Sequence, residues 1–539
     1  MRIGIAQINP VLGDFENNKE KILTHVREAR SKKCSLVVFP ECALFGYHPF
    51  DLLEREGVVE AQLKAFAELQ KEIPADLAVI VGLITKNPSK LGKPYFNSAA
   101  LLVKGKKPRI FHKTLLPTGD VFDEARFIES GDMTKNVFTW KGKKFFLSIC
   151  EDIWAWPDSK GRSLYRRNPL KSVPKSGFDL LINLSASPWH VGKLQKRDVV
   201  TAKTAALLKA PLLYVNMVGA QDEIIFDGRS FVMGPKGKKQ VECLAFEEHL
   251  NVFDLDTMES WTPRSSLDET EELRQALVLG MRDFSVKTGI RKAHLGLSGG
   301  IDSAVVACLA VEALGAGAVK GFGLPGPFSS PESLSLARDL AKNLGVAIQT
   351  LSIQNAFDTI QRDLDKAWNL GPLSVVHENL QSRLRGLFMM AYANKENSLL
   401  LTTGNKSEYA TGYATLYGDM CGGLAPIGDL TKEQVYALAR HYNLEREVIP
   451  EKIITRPPTA ELRPDQKDQD SLPPYAELDA AVEELVEKCG KAKKPVEKWL
   501  VAQLFKTEFK RWQAAPILKA SAHSFGRGRR YPVAHRAKE

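Results

Sequence analysis

The chain has 539 residues, with 74 Lys and Arg against 64 Asp and Glu, a formal net charge of +10 and 44% hydrophobic residues. This length predicts two or more domains, and the composition is that of a folded globular protein rather than a disordered or fibrous one. No apolar run approaches the roughly 18–20 residues that cross a bilayer, and no leader-type segment opens the chain, so we expect a soluble protein without a membrane partner. The seven cysteines form no CxxC pair, which fits the reducing cytoplasm.

The first half of the chain alternates short β-branched runs with helical segments. Helices are predicted over 17–31, 58–71 and 193–209. Strands are predicted over 2–8, 35–39, 77–84, 98–103, 109–112, 144–149, 179–183 and 212–216, with a further pair near 224–233 and 240–244. This pattern predicts an α/β layered domain whose strand ends present functional groups in loops.

A polar stretch near 256–272 indicates a linker, and we place the boundary so that the domains are 1–262 and 263–539. Strands and helices then alternate over 294–297, 303–314, 319–324, 331–344, 347–353, 378–394 and 399–403. Such alternation predicts a doubly wound parallel sheet that binds ligands beyond the carboxyl ends of its strands. The Pro- and Asp-rich segment 456–475 is predicted to be a long loop.

The segment SGGIDS, residues 298–303, follows an apolar strand and opens a helix. Its two glycines let the backbone approach phosphate oxygens, which the free N–H groups at the helix start attract. The Walker spacing GxxxxGK[ST] is absent, which disfavours a kinase or GTPase. A bare Gly-Gly turn often only packs a helix on a strand, but Ser298, Asp302 and Ser303 favour a phosphate loop. Because Asp302 would repel phosphate without a divalent cation, the segment predicts a nucleotide with Mg²⁺.

SGGIDS resembles the phosphate loop of the ATP pyrophosphatases, which split ATP into AMP and pyrophosphate. Three later segments resemble the NAD synthetases of that class: ENLQSRLRGLFMMAYAN from Glu378, TTGNKSEYATGYATLYGDMCGGLAPIGDLTKEQVYALA from Thr402 and PPTAELRPDQKDQDSLPPY from Pro457. The resemblance implies ATP contacts from Gly296, Leu297, Ser298, Gly299, Gly300, Ile301, Asp302, Ser303, Thr403, Lys432 and Thr459.

The same resemblance implies Mg²⁺ bound by Asp302 and Glu408, and nicotinic acid adenine dinucleotide contacted by Asn379, Glu408 and Lys510. The positions of Asp302 and Glu408 in the sequence also favour a shared metal site. Asp302 and Glu408 each follow a predicted strand of one parallel sheet, so both reach the same carboxyl-end crevice, and carboxylates are the ligands that a hard cation prefers. Taken alone, Glu408 reads as a solvated loop glutamate.

Three residues of the first half stand at the ends of apolar strands: Glu41, Lys113 and Cys150. Attack by a thiol requires a base that takes its proton and a positive group that stabilises the oxyanion. Glu, Lys and Cys supply these three functions. Spacing alone does not decide the matter, since a lone cysteine at a strand end is more often part of a core.

The surrounding segments VVFPECALFGY, FHKTLLPTGDVFDEARF and LSICEDIW resemble the nitrilase superfamily of carbon–nitrogen hydrolases. That resemblance implies the catalytic triad Glu41, Lys113 and Cys150, with Glu124 as a second glutamate that orients the substrate. NLSASPWHVGK, from Asn183, resembles the glutamine-binding segment and implies Ser187 and Lys193 as glutamine ligands. One position departs from the pattern: Gly119 stands where glutamine-using members commonly have Tyr.

A nitrilase-type amidase joined to an NAD synthetase resembles the glutamine-dependent NAD⁺ synthetases over nearly the whole chain. The resemblance implies an αββα nitrilase-like sandwich followed by a Rossmann-like doubly wound parallel sheet. It implies a ligase that takes ammonia from glutamine and uses ATP to convert nicotinic acid adenine dinucleotide into NAD⁺. The implied partners are these small molecules and further copies of the chain, as a homo-oligomer.

Two alternatives stay open at this point. The chain resembles other ATP-dependent amidotransferases in SGGIDS, although these are expected to lack the later NKSE and GDLTK segments. A non-catalytic nucleotide sensor with a decayed amidase domain is opposed by the intact Glu41, Lys113 and Cys150, and only Gly119 favours it.

The basic charge is concentrated at the end of the chain. Residues 505–539 hold nine Lys and Arg against two Asp and Glu, which accounts for seven of the ten net positive charges. The phosphates of a dinucleotide substrate are enough to explain this positive charge, so no nucleic-acid partner is expected. Lys510 is the residue of this region that we expect to meet substrate phosphate.

Overall fold

The structure is a computed structural model that describes residues 1–158, 160–259 and 267–537. The chain divides into two compact units, Met1–Leu267 and Asp268–Glu539. The boundary predicted between residues 262 and 263 lies outside the described residues. Within the described ranges, no helix is both long and apolar enough to cross a membrane.

The first unit is a layered α/β structure whose helices are α1 (Phe15–Ser31), α2 (Glu56–Glu72) and α3 (Lys193–Leu208). Its strands are β1 (Arg2–Gln7), β2 (Leu36–Val38), β3 (Ala78–Lys86), β4 (Tyr95–Leu102), β5 (Arg109–His112), β6 (Thr118–Gly119), β7 (Phe122–Asp123), β8 (Val137–Trp140), β9 (Lys143–Ile149), β10 (Leu180–Ser185), β11 (Leu212–Asn216), β12 (Val218–Gln221), β13 (Ile224–Asp227), β14 (Phe231–Met233), β15 (Lys239–Glu242) and β16 (His249–Asp254).

Two six-stranded sheets form its centre, in the orders β16-β1-β2-β3-β4-β5 and β15-β14-β11-β10-β9-β8. Side chains from both sheets, such as Ile5 and Leu147, share one buried apolar cluster between them. Helix α1 covers the other face of the first sheet through Ile22, and α3 covers the second through Leu208. This arrangement confirms the αββα sandwich.

One strand prediction of the first unit needs correction, and several short strands were not predicted. The segment predicted as one strand near 224–233 is two strands, β13 and β14, which lie in different sheets. The chain turns between them at Gly228, where φ is +63°, a conformation that glycine adopts without strain. Strand β16 was not expected from the pattern, and it pairs antiparallel with β1.

The second unit contains the parallel strands β17 (Lys292–Gly296), β18 (Val319–Gly323), β19 (Ala347–Thr350) and β20 (Ser398–Leu400). Its helices are α4 (Glu269–Thr288), α5 (Ile301–Leu314), α6 (Pro331–Leu344), α7 (Gln354–Trp368), α8 (Val375–Glu396), α9 (Lys406–Thr411), α10 (Lys432–Tyr442), α11 (Glu451–Thr455), α12 (Tyr475–Val482), α13 (Pro495–Lys506) and α14 (Glu508–Arg511).

The strand order of this sheet is β19-β18-β17-β20. Chain order reverses beside β17, and α5 and α8 each pack against that strand, which confirms the predicted doubly wound parallel sheet. Helix α7 was not predicted. The segment 456–475 is largely without regular structure, as expected, apart from a short 3₁₀ turn at Asp468–Asp470.

Candidate active sites

A fully buried lysine connects two glutamates in the first unit. Lys113 follows β5 directly, and its Nζ lies 2.7 Å from Glu41 Oε1 and 2.7 Å from Glu124 Oε1. Burial favours the neutral amine, but the two carboxylates outweigh it and raise the pKa of Lys113 well above its ordinary value. The lysine is therefore a fixed positive charge, and the structure brings together three of the residues expected at this site.

Further bonds fix the orientation of Glu41. Its Oε2 accepts a bond of 2.8 Å from the backbone N–H of Ala186, and Asn97 Nδ2 donates to its Oε1 at 2.7 Å. Burial raises the pKa of Glu41, although the charge of Lys113 opposes the shift. A carboxylate with a raised pKa is suited to accept and return a proton.

Cys150 begins the turn that follows β9, and its backbone has φ of +43°. This left-handed conformation is uncommon for a residue with a Cβ, and such strain is often found at active sites. Burial, and then the charge of Glu41, raises the pKa of the Cys150 thiol well above its ordinary value. A raised pKa favours the protonated thiol, so a reaction at its sulfur requires a base. Among the neighbouring carboxylates, Glu41 raises this pKa the most.

Asp152 links the loop after Lys113 to the turn that carries Cys150. Its Oδ1 accepts from the backbone N–H groups of Thr114 and Leu115 at 2.8 and 2.9 Å, and its Oδ2 accepts from that of Ile149 at 2.9 Å. One buried carboxylate thus sets the spacing of the two loops. Sequence reasoning missed this residue, although it stands two positions after the cysteine.

The residues expected to bind glutamine lie close to this network. Ser187 follows Ala186, whose N–H bonds to Glu41, and the Ser187 hydroxyl accepts from Arg197 Nε at 3.3 Å. Lys193 is the first residue of α3, and its Nζ lies 4.2 Å from the centre of the Trp154 ring. Burial lowers the pKa of Lys193 to about 8.

The second unit has a crevice at the carboxyl ends of its strands. Its cavity measures about 340 Å³, within the range of roughly 300–1,000 Å³ that is typical of small-molecule sites. The residues expected to bind ATP that line it are Gly296, Leu297, Ser298, Gly300, Ile301, Asp302, Thr403, Lys432 and Thr459. The sheet topology thus places both sides of the expected ATP site around one opening.

Two carboxylates and a lysine meet at the base of the crevice. Lys432 Nζ lies 2.5 Å from Asp302 Oδ2 and 3.9 Å from Glu408 Oε1. Asn405 joins the two acids, because its Nδ2 donates to Asp302 at 3.0 Å and its backbone N–H donates to Glu408 at 3.2 Å. Burial, and then the charge of Asp302, raises the pKa of Glu408 well above its ordinary value.

The carboxylates of Asp302 and Glu408 are the kind of oxygen ligand that Mg²⁺ takes from a protein. One or two such carboxylates suffice when phosphates and water complete the coordination shell of the cation. Among the described residues, no group of three or more His, Cys, Asp or Glu side chains is arranged to hold a metal. The donor set fits a cation that binds together with a nucleotide.

Known proteins match both halves of the chain. The family model described as carbon-nitrogen hydrolase matches residues 2–262, and that described as NAD synthase matches residues 273–514. The chain is 44% identical to the glutamine-dependent NAD(+) synthetase of a Synechocystis species, over 99% of this chain and 98% of the relative. The chain belongs to the glutamine-dependent NAD(+) synthetases. This result confirms the resemblance drawn from the motifs and makes the protein a ligase.

Solved structures of glutamine-dependent NAD⁺ synthetases agree with this assignment. The structure from Acinetobacter baumannii, in complex with ADP, is 34% identical with a TM-score of 0.76, covering 99% of this chain and 98% of that one. A second, from Cytophaga hutchinsonii, is 20% identical with a TM-score of 0.81, covering 99% and 97%. At that identity the second structure supports the fold alone.

Four residues expected to bind ligands in the second unit of this NAD⁺ synthetase are not among the residues that line the crevice. Gly299 and Ser303 do not line the crevice: a Cβ on Gly299 would lie 2.4 Å from Ser333 O, and Ser303 Oγ donates to Gly300 O at 3.0 Å. Gly299 thus packs closely against the backbone of Ser333, and the Ser303 hydroxyl bonds within the phosphate loop. Their contacts with ATP stay predictions.

The two residues expected to bind only the dinucleotide are also outside the crevice lining in the described part of the chain. Asn379 Oδ1 accepts from Thr415 Oγ1 at 2.8 Å. Lys510 Nζ donates to Gly412 O and Ala414 O at 2.8 and 2.7 Å. Their contacts with substrate stay predictions.

The structure adds residues that motif reasoning did not identify in this NAD⁺ synthetase. Tyr47 donates to Glu124 at 2.7 Å in the first unit. In the crevice of the second, the Arg385 guanidinium donates to Leu324 O at 3.0 Å, and in the described chain it has no carboxylate within ion-pair distance. An unpaired guanidinium is suited to phosphate. The sequence could have indicated Tyr47, because it lies in the FGY segment that follows Glu41. No motif in the neighbouring sequence indicated Arg385.

Proposed function

We propose that the two sites of this chain act in series, so that ammonia released at Cys150 becomes the nitrogen of NAD⁺ formed in the second-unit crevice. Support comes from the fully buried ion pairs of Lys113 with Glu41 and Glu124, at 2.7 Å each, beside a strained cysteine. A structural core has no need of three buried ionisable groups, because burying charge is costly.

In the first half-reaction, Cys150 Sγ attacks the side-chain amide carbon of glutamine while Glu41 takes the thiol proton. Lys113 stabilises the oxyanion, and the fixed positive charge described above is what this step requires. The tetrahedral species expels ammonia with the proton returned by Glu41, which leaves a thioester. Water activated by Glu41 then hydrolyses the thioester to glutamate and the free thiol. Glu124 holds Lys113 in place and faces the substrate.

In the second half-reaction, the nicotinate carboxylate of nicotinic acid adenine dinucleotide attacks the α-phosphorus of ATP and expels pyrophosphate. Ammonia then attacks the adenylated carbonyl carbon and expels AMP, giving NAD⁺. Lys432 and Arg385 offer positive charge to the phosphates, while the backbone of the SGGIDS loop lies against them. Asp302 and Glu408 are the residues that would hold Mg²⁺. When bound, the cation supplies charge neutralisation of the transferring phosphates.

Two matched variants test this assignment in one assay set. Cys150→Ala is expected to abolish NAD⁺ synthesis from glutamine and to retain synthesis from ammonium. Asp302→Asn is expected to abolish synthesis from both nitrogen donors and to retain glutamate release from glutamine. NAD⁺ and glutamate are measured by chromatography with nicotinic acid adenine dinucleotide, ATP and Mg²⁺ present. Loss of ammonium-driven synthesis in folded Cys150→Ala would contradict the two-site assignment.

A further inference from the structure

Glutamine differs from a simple amide in its amino-acid head, which carries one positive and one negative charge. The position where glutamine-using relatives of the nitrilase superfamily commonly place a phenol is Gly119 in this chain. Its φ is +123°, and a Cβ built there would meet no atom within 4 Å. A phenol that contacts the amino-acid head of glutamine in this chain would therefore come from another segment.

Tyr165 brings a phenol to the nucleophile from a different segment. Its hydroxyl donates a hydrogen bond of 2.8 Å to Oε1 of Glu151, the residue that follows Cys150. Among the described residues, Tyr165 is the one hydrogen-bond donor to the Glu151 carboxylate. Burial, and then the charge of Glu151, raises the pKa of Tyr165 above its ordinary value, so the phenol stays protonated as the donor of this bond.

Lys193 brings a positive charge to the turn that carries Cys150 and Glu151, because Trp154 ends that turn. Lys193 Nζ lies over the Trp154 ring at 4.2 Å, and in the described chain it has no carboxylate within ion-pair distance. Cys150 and Glu151 are the groups that act to raise the pKa of Lys193. A partly buried ammonium and a partly buried carboxylate thus lie near this turn, and among the described residues they form no ion pair with each other. A zwitterion offers an opposite charge to each of them.

We propose that Tyr165 replaces the phenol missing at Gly119 and, by orienting Glu151 towards the α-ammonium of the substrate, selects amides that carry an amino-acid head. Lys193, which the nitrilase resemblance already implies as a glutamine ligand, receives the α-carboxylate. The proposal rests on the proposed glutaminase function of Cys150. Tyr165 is a positioning residue, because it acts through Glu151 and not on the reacting carbon.

The test compares glutamine with glutaramate, which is glutamine without its α-amino group. Losing a hydrogen bond that orients a charged group costs roughly 10-fold in affinity, so Tyr165→Phe is expected to raise the KM for glutamine about 10-fold with kcat little changed. Hydrolysis of glutaramate, followed as ammonia release, is expected to stay the same. Glu151→Gln is expected to remove most of the wild-type preference for glutamine over glutaramate.

Tyr95→Phe is the matched control, because Tyr95 lies on β4 and the charges near it are those of Glu56, Lys86 and Glu60. Synthesis from ammonium shows that each variant is folded. An unchanged glutamine KM in Tyr165→Phe, or an equal loss with glutamine and glutaramate, would overturn the proposal. Failure of the wild-type protein to release glutamate from glutamine would instead overturn the proposed function.

Discussion

Asp152→Asn tests whether one buried carboxylate sets the geometry of the glutaminase site. The wild-type side chain accepts three backbone N–H bonds of 2.8–2.9 Å. An asparagine retains one oxygen for Thr114 and Leu115, but it turns an NH₂ group towards the N–H of Ile149. Because two donors then face each other, one buried N–H loses its acceptor.

An unsatisfied buried donor costs about 1–3 kcal/mol. At about 2–4 °C per kcal/mol for a domain of this size, Tm is expected to fall by roughly 2–12 °C. Relaxation of the Ile149 backbone moves Cys150 relative to Lys113, and a shift near 1 Å costs about 10²-fold in rate. We therefore expect glutamine-driven NAD⁺ synthesis to fall about 10²-fold while ammonium-driven synthesis is retained.

The assay measures NAD⁺ formation with each nitrogen donor and Tm by calorimetry on the full chain. Asp179→Asn is the control, since the Asp179 side chain is 37% exposed, accepts a bond of 2.8 Å from the Lys144 N–H and lies 3.6 Å from Lys143 Nζ. A lowered Tm with full glutamine-driven activity would refute the positioning argument. Equal loss with both donors would refute the claim that the effect is confined to the first unit.

Two further predictions address the other parts of the machinery. Burial raises the pKa of Glu41 above its ordinary 4.5, and the carboxylate is the form that accepts the proton. We therefore expect kcat/KM for glutamate release to fall with decreasing pH through a midpoint above 4.5. A pH profile that stays flat down to 4.5 would contradict the role of Glu41. Gly299→Ala is expected to weaken NAD⁺ synthesis from both nitrogen donors. The φ of residue 299 is +73°, and the new Cβ would lie 2.4 Å from Ser333 O. The left-handed backbone conformation alone costs a residue with a Cβ about 1–2 kcal/mol. Gly317→Ala is its control, with nothing within 4 Å of the Cβ, and equal ATP KM values in the two variants would show that the loop tolerates the strain.

Local sequence was sufficient wherever a function depends on contiguous residues. SGGIDS could be interpreted as a phosphate loop because a strand, two glycines and a helix start are consecutive in the chain, and β17 and α5 confirm that strand and that helix. Cys150 could be placed at a strand end for the same reason. Periodicity also predicted both sheet types, since side-chain alternation and strand–helix alternation are properties of short segments.

The tertiary structure decided which distant groups meet. Glu41 is oriented by Asn97 from β4 and by the N–H of Ala186 after β10, and these contacts follow from strand order and register rather than from any local pattern. The bond from Tyr165 to Glu151 likewise joins residues 14 positions apart. The basic end of the chain shows the same division: its charge was evident from the sequence, but the structure gives Lys510 two backbone carbonyls as acceptors. Composition determines how much charge a segment carries, whereas the fold determines what each charge meets.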